Sequence, residues 1–377
     1  MGPIAPNNRY RKIVVAVDKF KGTMTAPQAA EAIKVGIQKG FPEAEIRLFP
    51  MADGGDGSLA VVESAVGGKR VFTEATNPLG ATIRAPYLML GDTAFVEMAQ
   101  VSGLNLIPPQ QRDILKASTY GLGEVIRHAV EVSRARKVVV AIGGSATNDG
   151  GVGMLEALGF RYDAQTNTLD SSQVDNVMPH LAETAIEVAC DVENPLLGPN
   201  GATAIYGPQK GATPENIPIL EERLAKWSEA VAQWRGLPAE ELVQFPGAGA
   251  AGGVGFALHG VLKAKMLQGW RVFTDMMNLE EEIASADLVI TGEGRFDGQS
   301  LEGKLPLGIA QLCAQYRKPL WLLCGRNMVP EVIYRSHGIC RLVSISALFP
   351  KDPMKNAAEK LSAAAFHIVN QNSFTNS

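Results

Sequence analysis

The sequence predicts an α/β protein with two α/β domains, one of them a discontinuous, Rossmann-like domain built on a parallel sheet. Two observations predict it: strands and helices alternate over residues 11–68, and the same alternation returns over residues 287–369. Such alternation is typical of parallel sheets covered by helices. The segment between them shows short strands with tight turns instead. We therefore expect the Rossmann-like domain at 1–70 and 285–377, with the second α/β domain inserted at 71–284; one continuous large sheet is the alternative.

The opening elements follow from local patterns. An apolar, β-branched run predicts a buried strand at Lys12–Asp18. Thr25 is a suitable N-cap for the helix that follows, and Pro27 suits its first turn. A second strand is expected at Ile46–Met51. The next helix should stop at the Gly67-Gly68 pair, because glycine commonly ends helices.

The remaining elements are assigned in the same way. Towards the C-terminus we expect strands at 287–291, 319–325 and 341–346, and helices at 309–316 and 357–369. In the middle we expect strands at 71–72, 82–90, 93–98, 137–142 and 186–191, and a helix over 215–235. Residues 1–10 are expected to form a flexible leader, and the tail after Asn370 a frayed end.

Composition excludes several classes of function. The chain has 377 residues and a net charge of −4, from 35 basic and 39 acidic residues, whereas nucleic-acid binding proteins normally carry a basic excess. No apolar run approaches the ~18 residues of a membrane span. The four cysteines form no CxxC pair, and the five histidines show no metal-binding spacing. The first residues lack the apolar core of a signal peptide, so we expect a cytoplasmic protein.

Charged side chains concentrate in the loops after predicted strands, where ligands of open parallel sheets bind. Asp18, Lys19 and Lys21 follow the first strand, and Asp53 follows the second. An acid with two lysines suits a charged substrate and a polyphosphate, and an acid beside a helix N-terminus suits Mg²⁺ or a hydroxyl. A solvated turn and simple helix capping are the alternatives.

The loop after the strand at 137–142 combines glycines with four polar side chains. Its candidates are Gly143, Gly144, Ser145, Asn148 and Asp149. Capping requires only one polar side chain, so we expect phosphate or sugar-acid binding here. Thr147 stands where the G-x-S-x-G elbow of a hydrolase needs its last glycine, which excludes that class of enzyme.

Two further regions carry candidates. Asp191 follows the strand at 186–191, where a carboxylate can activate a hydroxyl. Lys210 lies in a glycine turn, and Gly252 and Gly253 belong to a loop that contains G-x-G-x-x-G. That pattern is weak support for a dinucleotide site, because Pro246 interrupts the segment before it.

The loop after the strand at 287–291 is the richest in charge. Its candidates are Glu293, Arg295, Asp297, Gln299 and Lys304. Residues 298–304 spell G-x-x-x-x-G-K, but a phosphate loop needs Ser or Thr at position 305 and its first glycine directly after the strand. We therefore interpret that pattern as a chance match, although Lys304 can still reach a phosphate.

These loops hold acids, lysines, an arginine and glycines, without a histidine, thiol or metal cluster. Such residues suit phosphoryl transfer, which depends on positioning and on neutralising phosphate charge. One carboxylate would accept the proton of the attacking hydroxyl. From the residues alone, we expect a nucleotide-dependent kinase of a small metabolite.

Seven motifs occur in order along nearly the whole chain: Asp18–Gly22, Pro50–Gly55, Gly143–Gly151, Cys190–Pro195, Gly207–Thr213, Pro246–Gly253 and Ile290–Gln299. Through them the chain resembles the bacterial glycerate kinase family, the type that phosphorylates D-glycerate at the 2-hydroxyl. The resemblance implies ATP, Mg²⁺ and D-glycerate, and two α/β domains. We expect the active-site cleft between those domains, no nucleic-acid or membrane partner, and a homodimer as the oligomer to test first.

Roles are assigned within that expectation. Asp191 is the first candidate for the general base and Asp297 the second, while Lys21 and Arg295 are assigned to the glycerate carboxylate or the transferring phosphoryl group. The other candidates are Asp53 and Glu293 for the metal, Asp18, Lys19, Ser145, Asn148, Asp149 and Gln299 for the substrate, and Gly143, Gly144, Lys210, Gly252, Gly253 and Lys304 for the nucleotide.

Three alternatives stay open at this point. The chain could phosphorylate another small hydroxy acid, or the 3-hydroxyl of glycerate. It could be a sensor that binds a nucleotide or a sugar acid without catalysis. It could also be an NAD enzyme that uses the glycines at 247–252.

Overall fold

A computed structural model describes residues 10–301 and 303–370, so most of the predicted leader and the tail after Asn370 lie outside the described residues. The chain divides into two compact units. The first unit contains the described residues up to Asp53, residues 64–66 and those from Trp270 onward; the second contains Gly54–Glu63 and Gly67–Gly269. The predicted domain limits at 70 and 285 stay predictions.

Thirteen strands lie in the described residues. They are β1 (Lys12–Val17), β2 (Glu45–Pro50), β3 (Lys69–Thr76), β4 (Thr82–Leu90), β5 (Thr93–Glu97), β6 (Lys137–Ala141), β7 (Arg161–Asp163), β8 (Thr168–Asp170), β9 (Ala185–Ala189), β10 (Lys265–Leu267), β11 (Leu288–Phe296), β12 (Leu320–Asn327) and β13 (Ile339–Ser344).

Sixteen α-helices lie in the same part of the chain. They are α1 (Ala26–Gln38), α2 (Ser58–Val66), α3 (Ala99–Ser102), α4 (Tyr120–Glu131), α5 (Val152–Ala157), α6 (Val174–Val177), α7 (Ala202–Tyr206), α8 (Ile217–Arg235), α9 (Ala239–Val243), α10 (Val254–Gly260), α11 (Gly269–Met276), α12 (Leu279–Ser285), α13 (Leu305–Gln315), α14 (Glu331–Ser336), α15 (Ile345–Leu348) and α16 (Ala357–Asn370). None of these helices combines the length and apolarity needed to cross a bilayer.

The sheet of the first unit has five parallel strands in the order β13-β12-β11-β1-β2. The chain leaves β1 towards β2 on one side and leaves β11 towards β12 on the other. β1 and β11 are therefore the neighbours at which the strand order reverses, and ligands of open α/β sheets bind outside the carboxyl ends of such a pair. This arrangement confirms the predicted parallel, Rossmann-like sheet.

Helix α1 shows how local sequence sets one layer of that unit. Thr25 is its N-cap and forms a capping box with Gln28, as the sequence predicted for Thr25. Ile33 and Ile37 are fully buried and belong to the same apolar core as Val15 of β1. Removing either isoleucine side chain by substitution with alanine should cost about 2–5 kcal/mol of stability.

The second unit contains a six-stranded sheet in the order β10-β9-β6-β5-β4-β3. The four strands from β10 to β5 are parallel, and β4 and β3 extend the sheet by antiparallel pairing. The described strands thus form separate five-stranded and six-stranded sheets, with β7 and β8 as a small hairpin. The alternative of one continuous sheet is wrong.

One local prediction is also wrong. β11 does not stop at Thr291 but continues to Phe296, so Glu293 and Arg295 lie on a strand and not in a loop. Their pairing with β12 overrides the low strand propensity of glycine, and Gly292 leaves no room for a Cβ atom beside the Leu323 carbonyl. Helix α9, which ends at Val243, precedes the glycines at 247–252.

Candidate active site

The carboxyl end of β1 carries the first acidic candidate. The Asp18 amide donates a hydrogen bond to the Gly292 carbonyl of β11 at 3.0 Å. The Asp18 Oδ1 atom accepts one from the Lys19 amide at 2.6 Å. Lys19 Nζ lies 3.0 Å from Asp53 Oδ1, just beyond β2. Three predicted site residues therefore meet in the first unit, at the edge where the strand order reverses.

The Asp18 carboxyl is held in an unfavourable environment. Burial and the nearby Asp53 carboxylate raise its pKa from 3.8 to about 7. Lys19 opposes that rise, through its charge and its amide, while Glu293 adds to it. A cation that binds beside such a carboxylate, or a proton that binds to it, lowers the free energy of the site.

Glu293 of β11 is the second such group. Burial raises its pKa to about 7, against the opposing effects of a hydrogen bond from Ser300 and the charge of Lys304. Its Oε1 atom is buried without a hydrogen-bond partner, and so is Oγ1 of Thr291. Because side chains alternate along a strand, Thr291 and Glu293 lie on the same face of the sheet.

The end of β11 presents charges to solvent. The Arg295 side chain is 63% exposed, and its Nε atom lies 2.8 Å from Asp297 Oδ2. The other Asp297 oxygen accepts a hydrogen bond from the Gln299 amide at 3.0 Å. Lys304 Nζ donates to Gln299 Oε1 at 3.2 Å. Four of the five predicted residues of this segment are thus brought together by direct contacts.

Lys21 lies in the loop between β1 and α1 and is exposed. A Cβ atom on Gly294 would come within 3.2 Å of the Lys21 amide nitrogen, so this loop packs directly beside β11. The glycine at 294 permits that approach. The structure therefore brings Lys21 to the same pair of strands as Asp18 and Glu293.

The glycine candidates of the second unit have close backbone neighbours. The Gly143 amide donates to the Gly54 carbonyl at 2.9 Å, and a Cβ atom on Gly143 would lie 2.5 Å from Gly55 Cα. A Cβ atom on Gly253 would lie 2.7 Å from Gly150 Cα. Packing of one loop on another accounts for these two glycines, and a role of Gly143, Gly144, Gly252 and Gly253 in phosphate binding stays a prediction.

The Asp149 carboxylate accepts four hydrogen bonds within the protein. Its carboxylate accepts hydrogen bonds from the Thr119 amide and hydroxyl, both at 2.8 Å, and from the Gly151 and Gly153 amides at 3.1 and 3.3 Å. Burial nevertheless raises its pKa. These four donors give Asp149 a structural task at the start of α5, and contact with the substrate stays a prediction.

Its neighbours in the loop are buried as well. Asn148 donates from Nδ2 to the Thr203 hydroxyl at 3.0 Å, and its Oδ1 atom is buried without a partner. Ser145 is mostly buried, next to Gly103, with which it forms an isolated bridge. Substrate binding by Ser145 and Asn148 stays a prediction.

Lys210 is 2% exposed, which is unusual for lysine. Its ammonium donates to the Thr147 carbonyl at 2.7 Å. Burial lowers its pKa from 10.5 to about 7, and the charge of Asp149 opposes that fall only in part. Lys210 therefore holds the Gly143–Gly153 loop from inside, and its predicted contact with a nucleotide stays a prediction.

Asp191 follows β9, two residues beyond the end of that strand. Its Oδ1 atom accepts a hydrogen bond from the Gly269 amide at 2.6 Å, which fixes the orientation of the carboxylate. Asp191 is therefore held in a defined position at the carboxyl edge of the six-stranded sheet. Its role as a base stays a prediction.

Sequence reasoning missed two residues. Glu97, the last residue of β5, is buried and accepts three hydrogen bonds. Thr291, the residue at which the predicted strand ended, contributes a buried hydroxyl. The sequence did contain a signal for Glu97. The run from Ala94 to Val101 is apolar except for Glu97 and Gln100, and an acid within such a run is expected to be buried.

The acids of the first unit bear on how Mg²⁺ would be held. Within residues 10–301 and 303–370, no group of three or more His, Cys, Asp or Glu side chains forms a ready-made metal site. Mg²⁺ in nucleotide sites is usually held by one or two carboxylates together with phosphate oxygens and waters. The unpartnered Glu293 oxygen, with Asp18 and Asp53 nearby, fits a Mg²⁺ ion of that kind.

Comparison with known proteins decides the family. The model of the glycerate kinase family matches residues 13–373. The chain belongs to the glycerate kinase family. It is 41% identical over 347 residues to glycerate 2-kinase of Escherichia coli (strain K12), which covers 89% of this chain and 90% of that relative. It is 38% identical over 373 residues to glycerate kinase of Bacillus subtilis (strain 168), covering 95% of this chain and 97% of that relative.

The fold agrees with a solved structure of similar description. A crystal structure described as "putative glycerate kinase 2" from Salmonella typhimurium LT2 superimposes with a TM-score of 0.81 at 39% identity, covering 97% of this chain and 98% of that one. Membership of the glycerate kinase family confirms the resemblance seen in the motifs. The chain is therefore an enzyme of a kinase family, and kinases use ATP.

The NAD alternative fails on structural grounds as well. A dinucleotide fingerprint needs a strand directly before its glycines and a helix directly after them. Here α9 precedes Gly247, and the non-glycine residue Ala251 adopts a left-handed conformation within the motif. The glycines at 247–252 thus form a compact turn rather than a strand-to-helix turn.

Proposed function

We propose that this chain transfers the terminal phosphoryl group of ATP to the 2-hydroxyl of D-glycerate, giving 2-phosphoglycerate and ADP. One observation gives the main structural support for this proposal. Asp18 and Glu293 are buried acids with strongly raised pKa values, with Lys19 and Lys304 nearby, at the pair of strands where the order reverses. Binding of a nucleotide phosphate together with a cation such as Mg²⁺ would compensate the charges of these acids and lysines.

Asp53 and Glu293 are proposed to hold Mg²⁺, directly or through water, with Asp18 nearby. When bound, Mg²⁺ neutralises charge on the transferring phosphoryl group and its leaving group. Lys19 keeps Asp53 in place by the ion pair described above. The charges of Asp53 and Glu293 both raise the pKa of Asp18, so a cation bound beside these acids would relieve that repulsion.

Lys21 and Arg295 are proposed to bind the carboxylate of glycerate or the transferring phosphoryl group. Both are exposed, and a guanidinium can bind a carboxylate or phosphate through two hydrogen bonds. Gln299 sits between Asp297 and Lys304 and is proposed to contact the substrate hydroxyls, as Ser145 is. Lys304 is proposed to reach a phosphate of the nucleotide.

Asp191 is proposed as the general base. The glycerate oxygen attacks the terminal phosphorus, the bond between that phosphorus and the ADP oxygen breaks, and the hydroxyl proton passes to the carboxylate. The Gly269 amide orients Asp191 for that task. Asp297 is the second candidate, because Arg295 Nε lies 2.8 Å from one of its carboxylate oxygens and would compete with a substrate hydroxyl for it.

The test is an ADP-release assay with D-glycerate, followed by phosphorus NMR of the product. We expect turnover with D-glycerate above a panel of other small hydroxy acids, and 2-phosphoglycerate as product. A better substrate in the panel, or 3-phosphoglycerate as product, would instead support the alternatives. ATP binding without any ADP release would favour a sensor.

The base assignment has its own comparison. Asp191→Asn should lower kcat by about 10²–10⁴-fold at unchanged stability, whereas Asp297→Asn should lower it less. The reverse order would transfer the role to Asp297. We also propose a cytoplasmic location and a homodimer; the four cysteines are free thiols, which suits a reducing compartment.

A further inference from the structure

Glu97 lies at the carboxyl end of β5 and is 1% exposed. Its Oε1 atom accepts a hydrogen bond from the Gly57 amide at 2.9 Å, and its Oε2 atom accepts one from the Leu59 amide at 2.7 Å. Gln100 donates a third, from Nε2 to Oε1, at 3.0 Å. A buried carboxylate with this many donors is well satisfied.

The two amides belong to the start of α2. The first amides of a helix have no partner within the helix, and they attract anions. The N-cap residue, Gly57, has no side chain to supply a cap, so the Glu97 carboxylate takes that place. The N-terminus of α2 therefore binds an anion that belongs to the protein itself.

The turn that Glu97 holds, Gly54–Gly57, is packed against two neighbouring strand ends. Its Gly54 carbonyl accepts the hydrogen bond from Gly143, two residues beyond β6. A Cβ atom on Gly54 would lie 2.9 Å from the Ala189 carbonyl at the end of β9. β5, β6 and β9 are adjacent in the sheet. One short turn thus connects the carboxyl ends of three parallel strands.

A second side chain holds the same turn. Asn105 donates from Nδ2 to Asp56 Oδ2 at 2.6 Å. The turn is therefore held by two side chains: Glu97 binds its Gly57 amide, and Asn105, from the 3-10 helix at Leu104–Leu106, binds Asp56. Backbone packing against Gly143 and Ala189 leaves it little freedom to shift without moving those residues as well.

We propose that Glu97 is a positioning residue for the reaction: by docking the Gly54–Gly57 turn, it sets the position of the backbone at Gly143 and of Asp191. The inference rests on the proposed function, because it assigns importance to those two positions. Glu97 itself touches no reacting atom. A displacement of about 1 Å in such a constellation can cost on the order of 10²-fold in rate.

The test compares two substitutions at Glu97 with a matched control. Glu97→Gln removes the charge and places an amide N–H₂ against backbone donors, while Glu97→Asp keeps the charge on a shorter side chain. The control is Glu124→Gln, because Glu124 also accepts a backbone hydrogen bond, from the Thr76 amide at 2.7 Å, in the same unit. Stability, kcat, KM and amide exchange are measured for each variant.

We expect Glu97→Gln to lower kcat about 10–100-fold with a smaller change in KM, and Glu97→Asp to recover part of that loss. The Gly57 and Leu59 amides should exchange faster in both Glu97 variants, more so in Glu97→Gln, and at the wild-type rate in Glu124→Gln. Glu124→Gln should lower stability while kcat stays at the wild-type value. If Glu97→Gln fails to fold, Glu97→Asp carries the same comparison.

Three results would overturn the inference. Faster exchange at Gly57 and Leu59 with unchanged kcat and KM means that docking of the turn has no bearing on the reaction. A loss of kcat in proportion to lost stability, matched by Glu124→Gln, means that Glu97 is only structural. Unchanged exchange of the Gly57 and Leu59 amides in Glu97→Gln would refute the docking of the turn by Glu97. If the wild-type chain releases no ADP with any acid of the panel, the proposed function itself fails, and amide exchange still decides whether Glu97 docks the turn.

Discussion

The carboxyl edges of the two sheets bury acids in opposite ways. In the five-stranded sheet, Asp18 and Glu293 stand close to further acids, and one Glu293 oxygen has no partner. In the six-stranded sheet, Glu97 accepts three hydrogen bonds and Asp149 four. Burial raises the pKa of all four carboxyls, so burial alone does not separate the two regions.

The difference lies in what compensates the charge. A buried carboxylate with a full set of donors stabilises the loops it connects, and removing it leaves those donors unsatisfied. A buried carboxylate among other acids raises the energy of the free protein, and only a ligand relieves it. Sites of the second kind are where proteins give up stability for function.

The largest expected effect is at Glu293. Glu293→Gln should lower kcat about 10²–10³-fold, because it removes a charge that the proposed site uses. The same change should raise the free energy of unfolding at pH 8 by on the order of 1 kcal/mol, since a poorly compensated charge disappears. ADP release and urea unfolding of the nucleotide-free protein measure the two effects. A destabilised variant would show that Glu293 is compensated after all.

Asp149 should behave in the opposite way. Asp149→Asn weakens four hydrogen bonds to a carboxylate and turns an N–H₂ group towards N–H donors. We expect a loss of about 3 kcal/mol in the free energy of unfolding. Urea unfolding provides the measurement. The control is Asp170→Asn, because the carboxylate of Asp170, at the exposed end of β8, accepts hydrogen bonds from the neighbouring Ser172. An unchanged midpoint for Asp149→Asn would remove the contrast between the two edges.

Lys210 sharpens the comparison through pH. Its pKa is about 7 in the folded chain and 10.5 ordinarily, so between these values the unfolded chain binds more protons. Stability must therefore rise with pH over that window, and Lys210→Met should abolish the rise. Relative to the variant, the wild type should gain about 2 kcal/mol from pH 7 to pH 9. The control is Lys226→Met, at an exposed lysine. Parallel curves of stability against pH for the wild type and Lys210→Met would contradict the lowered pKa of Lys210.

Arg295 should give the smallest effect. Its pair with Asp297 is exposed, and such pairs contribute little to stability. Arg295→Lys should leave unfolding unchanged and raise KM for glycerate about tenfold, because lysine cannot form the paired hydrogen bonds of a guanidinium. Steady-state kinetics check this, with Arg335→Lys on the exposed helix α14 as the control. An unchanged KM would remove Arg295 from the substrate site.

The sequence was a good guide to elements with strong local signals. The apolar run of β1 and the Thr25 cap of α1 each predicted its element within a residue or two, because the pattern itself selects the structure. The continuation of β11 to Phe296 was missed, since it depends on pairing with β12, which lies far along the chain. Glycine-rich composition predicted a loop there, and tertiary pairing overrode it.

The candidate site was predicted only in part, because the sequence shows which residues follow a strand but not how their side chains pack. Strand ends identify Asp18, Asp53 and the charged segment after Thr291, because parallel strands bring their carboxyl ends to one edge. Composition does not say whether a polar side chain faces solvent. Lys210 and Asp149 looked like ligand-binding residues in the sequence, and only the packing shows that their charged ends point into the protein.

The pairing of β1 with β11 has a consequence for synthesis. Val15 lies opposite Ile290, so the strand made first receives its central neighbour only after the whole six-stranded unit has left the ribosome. At about 5–20 residues per second, that wait is on the order of tens of seconds. During that time β1, which is apolar from Ile13 to Val17, lacks one of its two partner strands, so we expect chaperones to bind this segment of the nascent chain.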